Sequence, residues 1–211
     1  MVNVPVNMFN GNNDCEDERE WYDTIQLRSR KFICGNCSSN VASSEGYVIE
    51  YLNDYDGRIA TNSSMEYGIY LCPHCDFPTY FSEKNEQFPM PKYGKEVEGL
   101  PEEVEYLYKE ARSSYSARAF TGAVLLARKA LSNIAISFGA DDGKNFVFYV
   151  DFLDKNGYIP ENSKKWVDKI RTMGNEATHK KDAKTKEEAQ TTLKFLEMLL
   201  VINFEYIKED L

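Results

Sequence analysis

Two short stretches of the sequence decide the fold: FICGNCSSN, residues 32–40, and YLCPHCDFPTYF, residues 70–81. Each contains two cysteines with two residues between them, and a turn of that length directs both thiolates at one ion. Two such turns complete the tetrahedral shell of four soft donors that zinc favours, so the spacing predicts a structural Zn²⁺ site. Its ligands are Cys34, Cys37, Cys72 and Cys75. Disulfide bonds are the alternative; they are disfavoured because no secretion signal is evident and disulfides persist in oxidising compartments.

The four thiolates define the expected role of the ion. His74 lies between the two cysteines of the second pair, and we expect it to face solvent because the thiolates already fill the shell. With no coordination position left for water, the ion is expected to stabilise a fold and not to catalyse hydrolysis.

The residues around the cysteine pairs have the composition of short strands. EGYVIEYL, residues 45–52, and MEYGIYLC, residues 65–72, are rich in β-branched and aromatic side chains. The acidic segment at residues 15–30 predicts a short helix that lies against this sheet. Because a sheet of this size buries little apolar surface, we expect the ion to supply much of its stability.

The pattern changes near residue 93, after a segment punctuated by proline and glycine. From Leu100 onward apolar residues recur every three or four positions, which predicts five helices joined by short loops. The last of these helices begins with the Thr185 to Glu188 spacing of a capping box. The predicted fold class is therefore α+β. Residues 1–92 form a β-rich zinc-ribbon module with an N-terminal helix, and residues 93–211 form an all-α bundle.

The stretch RTMGNEATH, residues 171–179, places polar side chains at steps of four: Arg171, Asn175 and His179. At 100° per residue all three lie on the side of the helix opposite its apolar residues. Two interpretations stay open. In the first, Arg171 pairs with a nearby acid, Asn175 ends the helix and His179 caps its carbonyls. In the second, the three side chains form a catalytic face.

Three segments carry a resemblance to a known family: GAVLLARKALSNIAISFGA at 122–140, FLDKNGYIPENSKKWVDKIRTMGNEATH at 152–179, and TKEEAQTTLKFLEMLLVINFEYI at 185–207. Over roughly residues 97–208 the chain resembles the domain of unknown function 4145, which is commonly found with restriction and phage-defence proteins. The resemblance extends to the paired-cysteine ribbon. It implies a HEPN-like helical bundle, a group in which many members dimerise and cleave RNA with an arginine and a histidine at the subunit interface.

Carried onto this sequence, the resemblance names Arg171 and His179 as the candidate catalytic pair, with Asn175 to orient either one. In such a reaction His179 would transfer a proton and Arg171 would bind the phosphate, and no metal is required. HEPN nucleases usually keep four to six residues between the two, whereas here seven intervene. This departure favours a non-catalytic role.

Charge is distributed unevenly along the chain. The whole sequence has a net charge of −9, yet residues 164–186 hold eight Lys or Arg and three Asp or Glu, a balance of +5. A solvated helix end is one explanation, and the footprint of a polyanion site is the other. The residues predicted to bind nucleic acid are Lys164, Lys165, Lys180, Lys181 and Lys184.

Taken together, these features predict a non-catalytic module that binds or senses nucleic acid or a protein in a bacterial or phage defence-type system. The alternative is a metal-independent HEPN-type endoribonuclease, a toxin-like effector that uses Arg171 and His179 at a dimer interface, so enzymatic activity is left open. We expect a cytoplasmic homodimer whose further partner is RNA or a defence-system protein. No apolar run approaches the roughly 20 residues of a membrane span.

Overall fold

The computed structural model describes residues 21–48, 67–179 and 183–206, with the backbone alone for Lys164 and residues 173–179. These residues form an antiparallel five-stranded sheet followed by five α-helices, so the α+β class is confirmed. The strands are β1 (Ile25–Ile33), β2 (Asn40–Tyr47), β3 (Gly68–Leu71), β4 (Pro78–Phe81) and β5 (Gln87–Phe88). The helices are α1 (Glu102–Ser116), α2 (Phe120–Ser137), α3 (Phe146–Lys155), α4 (Lys164–His179) and α5 (Lys186–Leu200). Among the described residues, no helix combines the length and apolarity that crossing a membrane requires.

The sheet is a meander in which each strand pairs with the next along the chain. Its small core consists of three aromatic rings, Phe32, Tyr70 and Phe81, which meet edge to face with centroids 5.3–6.5 Å apart. The cysteine pairs occupy the β1–β2 and β3–β4 turns. Both turns therefore lie at the same end of the sheet.

The predicted N-terminal helix is wrong where the structure describes it. Residues 25–30 belong to β1, which pairs with β2 in two stretches separated by a bulge. The first cysteine pair can turn back only if a strand leads into it, and this pairing overrides the local helical pattern. The earlier part of the segment lies outside the described residues.

Helix α2 is the centre of the bundle and packs against α1, α3 and α5. Small residues on α2, Ala123, Ala127 and Ala130, are fully buried and let the neighbouring helices approach closely. The predicted capping box is confirmed: the Thr185 side chain accepts from the Glu188 amide, and the Glu188 carboxylate accepts from the Thr185 amide. A 3-10 turn, Glu161–Ser163, leads directly into α4.

The chain continues past α5 into a π-helical turn, Val201–Glu205, that the apolar periodicity does not reveal. The Asn203 side-chain amide donates to the Leu199 carbonyl at 2.9 Å and to the Tyr158 carbonyl at 3.0 Å. The second bond ties this turn to the loop that follows α3.

A linker, residues 89–101, joins the sheet to the bundle and is held from both sides. The Ser116 hydroxyl at the end of α1 donates to the Met90 carbonyl, while the Met90 amide donates to the Ser116 carbonyl at 3.0 Å. Gly35 packs against the same segment so tightly that a Cβ would lie 2.7 Å from the Met90 and Pro89 carbonyl oxygens. The first cysteine turn is therefore in contact with the bundle through the linker.

Two arginines complete this junction. Arg112 is only 2% exposed and donates to the Tyr93 carbonyl at 3.0 Å and the Gly94 carbonyl at 2.8 Å. Arg118 pairs with Glu86 at 3.3 Å and lies over an aromatic ring of β5. Arg118 has φ +62°, a conformation in which glycine is favoured after a helix. Its side-chain contacts explain why arginine occupies that position.

Candidate functional site

The four predicted cysteine ligands come together at the end of the sheet. Their sulfur atoms all lie within 4.8 Å of one another, with Cys34 to Cys75 and Cys37 to Cys72 both at 3.8 Å. Tetrahedral coordination with a zinc–sulfur bond of about 2.3 Å places ligand sulfurs about 3.8 Å apart. All four are free thiols. The cluster therefore has the dimensions of a four-thiolate metal site.

The two cysteine turns have the same backbone geometry. Ser38 and Asp76, each one residue after the second cysteine of its pair, have φ of +62° and +55°. Their amides donate to the carbonyls of Cys34 and Cys72, at 2.9 Å and 2.8 Å. The Asn36 amide points at the Cys34 sulfur, 3.4 Å away. Amide N–H groups directed at sulfur offset the negative charge of thiolates, as a metal site of this kind requires.

Burial and hydrogen bonds shift the pKa values of the cysteine thiols in different directions. Burial raises the pKa of Cys34 to about 12 and also raises that of Cys75. Burial acts in the same direction on Cys37, but hydrogen bonds from Ser39 and the adjacent thiols outweigh it and lower the pKa to about 6. A bound divalent cation favours the thiolate at each position. His74 is exposed and lies outside the cluster, as predicted.

Arg171 pairs with acids, in agreement with the first of the two interpretations. Its guanidinium contacts one oxygen of each of three carboxylates: Asp151 at 2.6 Å, Asp168 at 3.0 Å and Asp154 at 3.1 Å. Burial opposes its charge, but these hydrogen bonds and charges outweigh that effect and raise the pKa of Arg171. Three negative charges surround one positive charge, so the local balance is −2.

Helix α4 runs without interruption through Gly174 to His179. The expectation that Asn175 ends the helix is therefore wrong. Positions 171, 175 and 179 share one sector of a continuous helix, because four residues advance about 400° at 3.6 residues per turn. The side chains of Asn175 and His179 lie outside the described residues.

The predicted nucleic-acid-binding lysines divide into three groups. Lys165 is exposed on α4. The Lys184 ammonium is paired with Glu188 at 2.8 Å and its side chain is only 10% exposed, so little of it is presented to a ligand. Lys180 and Lys181, like the Lys164 side chain, lie outside the described residues.

A cleft that we did not predict from the sequence lies between the linker, α1, α4 and α5; we call it the linker cleft. It has two adjoining parts, of about 500 Å³ and about 310 Å³, and Tyr93 lines both. The cations that line it are Lys92, Arg118, Lys169, Lys186 and Lys194. They come from four separate segments of the chain, so no local pattern reveals the cleft. The sequence hints at it only through exposed lysines spaced by four residues on α4 and by eight on α5.

Comparison with known families covers the helical part of the chain. No curated protein and no solved structure matches the sequence significantly. Residues 109–209, beginning within α1, are similar to the family described as Domain of unknown function (DUF4145).

Proposed function

We propose that the protein is a non-catalytic nucleic-acid-binding module whose metal centre is a structural zinc site. The observation that carries this proposal is a contrast between two faces of α4. One face presents exposed lysines that form no ion pair with the described residues, whereas on the other face Arg171 is paired with carboxylates. The setting we propose, a bacterial or phage defence-type system, rests on the family resemblance alone.

The basic face is formed by α4 and α5. Lys165 and Lys169 are exposed on α4, and Lys186 and Lys194 are exposed on α5. Each pair has a spacing of four or eight, so its members lie on one side of their helix. In a chain with net charge −9, such a concentration of exposed ammonium groups supports binding to the phosphates of a nucleic acid.

The environment of Arg171 supports a non-catalytic role. A guanidinium that stabilises a reacting phosphate needs donors free to point at it. Here Nε and both terminal nitrogens of Arg171 each donate to a carboxylate. A phosphate approaching this position would meet a net negative charge. Arg171 is accordingly better suited to hold α3 and α4 together.

The alternative function is a metal-independent endoribonuclease that acts as a homodimer. The continuity of α4 favours it, because two turns of helix bring positions 171 and 179 to one side. A dimer would supply a second histidine for the two proton transfers. Light scattering of the purified protein tests the homodimer directly, with a mass of about 49 kDa expected from two chains of 24.3 kDa.

One experiment separates the two functions. Labelled RNA is titrated with the wild-type protein and with the Arg171→Met and His179→Ala variants, and both anisotropy and fragment length are recorded. We expect all three proteins to bind RNA and to leave it intact. The logarithm of the affinity should fall with the logarithm of the salt concentration, with a slope of about −3 for four phosphate contacts on a single strand. Fragments that the wild type produces and His179→Ala does not would establish the nuclease instead.

The identity of the metal is tested separately. Four thiolates in tetrahedral geometry suit zinc, and iron is the competing ion. We expect one zinc per chain in the purified protein, lost in Cys72→Ser and retained in Cys15→Ser, which changes the cysteine that belongs to neither Cys-x2-Cys pair. Bound iron, with its visible charge-transfer absorption, or full metal retention in Cys72→Ser would contradict the assignment.

A further inference from the structure

We propose that the linker cleft binds single-stranded nucleic acid, with bases stacked on Tyr93 and Trp166 and phosphates held by the surrounding cations. This inference rests on the proposed function and specifies both its site and its ligand class. The two parts of the cleft meet at Tyr93, so a strand that enters beside α1 can continue between α4 and α5.

The aromatic side chains of the cleft are held in place from behind. The Tyr93 ring packs on Tyr115, with centroids 5.4 Å apart, and the Tyr115 hydroxyl accepts from Gln190 at 2.7 Å. The Trp166 ring meets Phe195 of the core edge to face, at 5.7 Å. Tyr93 and Trp166 are both only half-buried. Rigid, partly exposed rings are the platforms on which unpaired bases stack.

Cations lie beside the Trp166 ring and line the part of the cleft that Tyr93 shares with Lys92, Arg118 and Lys186. The Lys194 ammonium is 5.9 Å from the centre of the Trp166 ring, and Lys169 donates to the Thr191 hydroxyl at 3.3 Å on the opposite wall. Five lysines and arginines line the two parts of the cleft against two glutamates, a balance of +3. One of those glutamates, Glu86, is already paired with Arg118. The cleft therefore attracts anions although the protein as a whole is acidic.

The combination of rings and charges selects single strands. In a duplex the faces of the bases are covered by their neighbours, so only the phosphates would meet the cleft. A single strand presents its phosphates and its base faces together. RNA and DNA share this chemistry, and the 2′-hydroxyl distinguishes them.

The first cysteine turn contacts a residue that lines the cleft. The Lys92 ammonium, which lines the larger part, donates to the Asn36 carbonyl at 2.6 Å. Asn36 lies between the two cysteines of the first pair, and its side-chain amide approaches the Cys75 sulfur at 3.7 Å. The first cysteine turn thus positions Lys92 in one wall of the cleft.

The first test is charge reversal within the cleft. Anisotropy is measured with labelled oligo-U, oligo-dT and a duplex of equal length for the wild type, for Lys169→Glu/Lys194→Glu, and for the matched control Lys129→Glu, an exposed α2 lysine that lines neither part. We expect the double variant to bind single strands at least about tenfold more weakly, with a reduced salt slope. Lys129→Glu should resemble the wild type. Whichever of oligo-U and oligo-dT binds more tightly identifies the source of the strand.

The second test measures base stacking on Trp166 by fluorescence, which the binding of a phosphate chain without bases should not change. In a Trp21→Phe background, Trp166 is the remaining tryptophan. We expect oligo-U or oligo-dT to quench its fluorescence, and polyphosphate to leave it unchanged. Absence of quenching at saturating oligonucleotide would overturn the stacking, and equal affinities of the two lysine variants would overturn the site. If either result is obtained while the wild-type protein binds nucleic acid, the cleft proposal fails and the proposed function is unaffected. If the wild-type protein binds no nucleic acid at all, the proposed function itself is refuted.

Discussion

Arg171 is predicted to stabilise the bundle, and replacing it with methionine measures by how much. Methionine keeps an unbranched apolar side chain of similar reach while removing the charge and all three hydrogen bonds. Asp151 and Asp154 on α3 then lose the cation that joins them to α4. The loss of stability should therefore be confined to the contact between these two helices.

The expected loss of unfolding free energy depends on how exposed Arg171 and its partners are. The Arg171 side chain is 26% exposed, and its partners Asp151, Asp154 and Asp168 are 36%, 23% and 72% exposed. Ion pairs in such partly solvated positions contribute about 0.2 to 1 kcal/mol each, and the most exposed pair contributes least. We expect a total loss of about 1 to 2 kcal/mol, or a fall of about 3 to 6 °C in Tm for a chain of this size.

Urea unfolding followed by helical circular dichroism, with the protein metal-loaded throughout, measures this loss. The matched control is Lys165→Met, which removes an exposed cation from the same helix and should change stability by less than about 0.5 kcal/mol. A double-mutant cycle with Asp151→Asn should give a coupling energy of about 0.5 to 1 kcal/mol. If Arg171→Met is as stable as the wild type and the cycle shows no coupling, the structural role of Arg171 is refuted.

Three further substitutions test the junction and the capping box. Gly35→Ala should loosen the contact between ribbon and bundle because its Cβ has no room beside the Met90 carbonyl; protease cleavage in the linker should become faster, and unchanged cleavage would contradict this packing. Arg112→Met leaves two linker carbonyls without their donor and should cost about 3 kcal/mol in urea unfolding; a cost under about 1 kcal/mol would show that the guanidinium is dispensable. Burial opposes ionisation of Glu188, but Lys184 and the cap bonds lower its pKa below the ordinary 4.5. The stability that its charge provides is thus present above that value and lost as pH falls through the lowered pKa. Because glutamine can also form the box, Glu188→Gln removes mainly the charge, and the difference in Tm between wild type and variant should shrink below pH 4.5. A difference that stayed constant would argue against stabilisation by that charge.

Local sequence signals predicted much of the molecule. The Cys-x2-Cys pairs and the Thr185 to Glu188 spacing each specify geometry over a few residues, and the structure reproduces both. The apolar spacing predicted the helices for a similar reason, because the apolar side of a helix such as α4 is formed by residues three or four apart in consecutive turns.

The features that sequence reasoning missed depend on contacts between distant segments. Residues 25–30 of β1 have a pattern that predicts a helix, because the local sequence does not reveal the β2 partner across the cysteine turn. The linker cleft requires the linker, α4 and α5 to meet at Tyr93, and no window of sequence contains all three. The carboxylates that hold Arg171 come in part from α3, 17 and 20 residues earlier. The sequence suggested one acid partner for Arg171, whereas the folded structure shows three.

The most direct test is a single titration of an RNA oligonucleotide labelled at both ends, in which anisotropy reports binding and energy transfer between the labels reports chain integrity. We predict a salt-sensitive rise in anisotropy while the two labels stay joined, as shown by recovery of full-length RNA after the protein is removed. Anisotropy that stays flat at every concentration, or labels that separate in a reaction that requires His179, would contradict binding without cleavage.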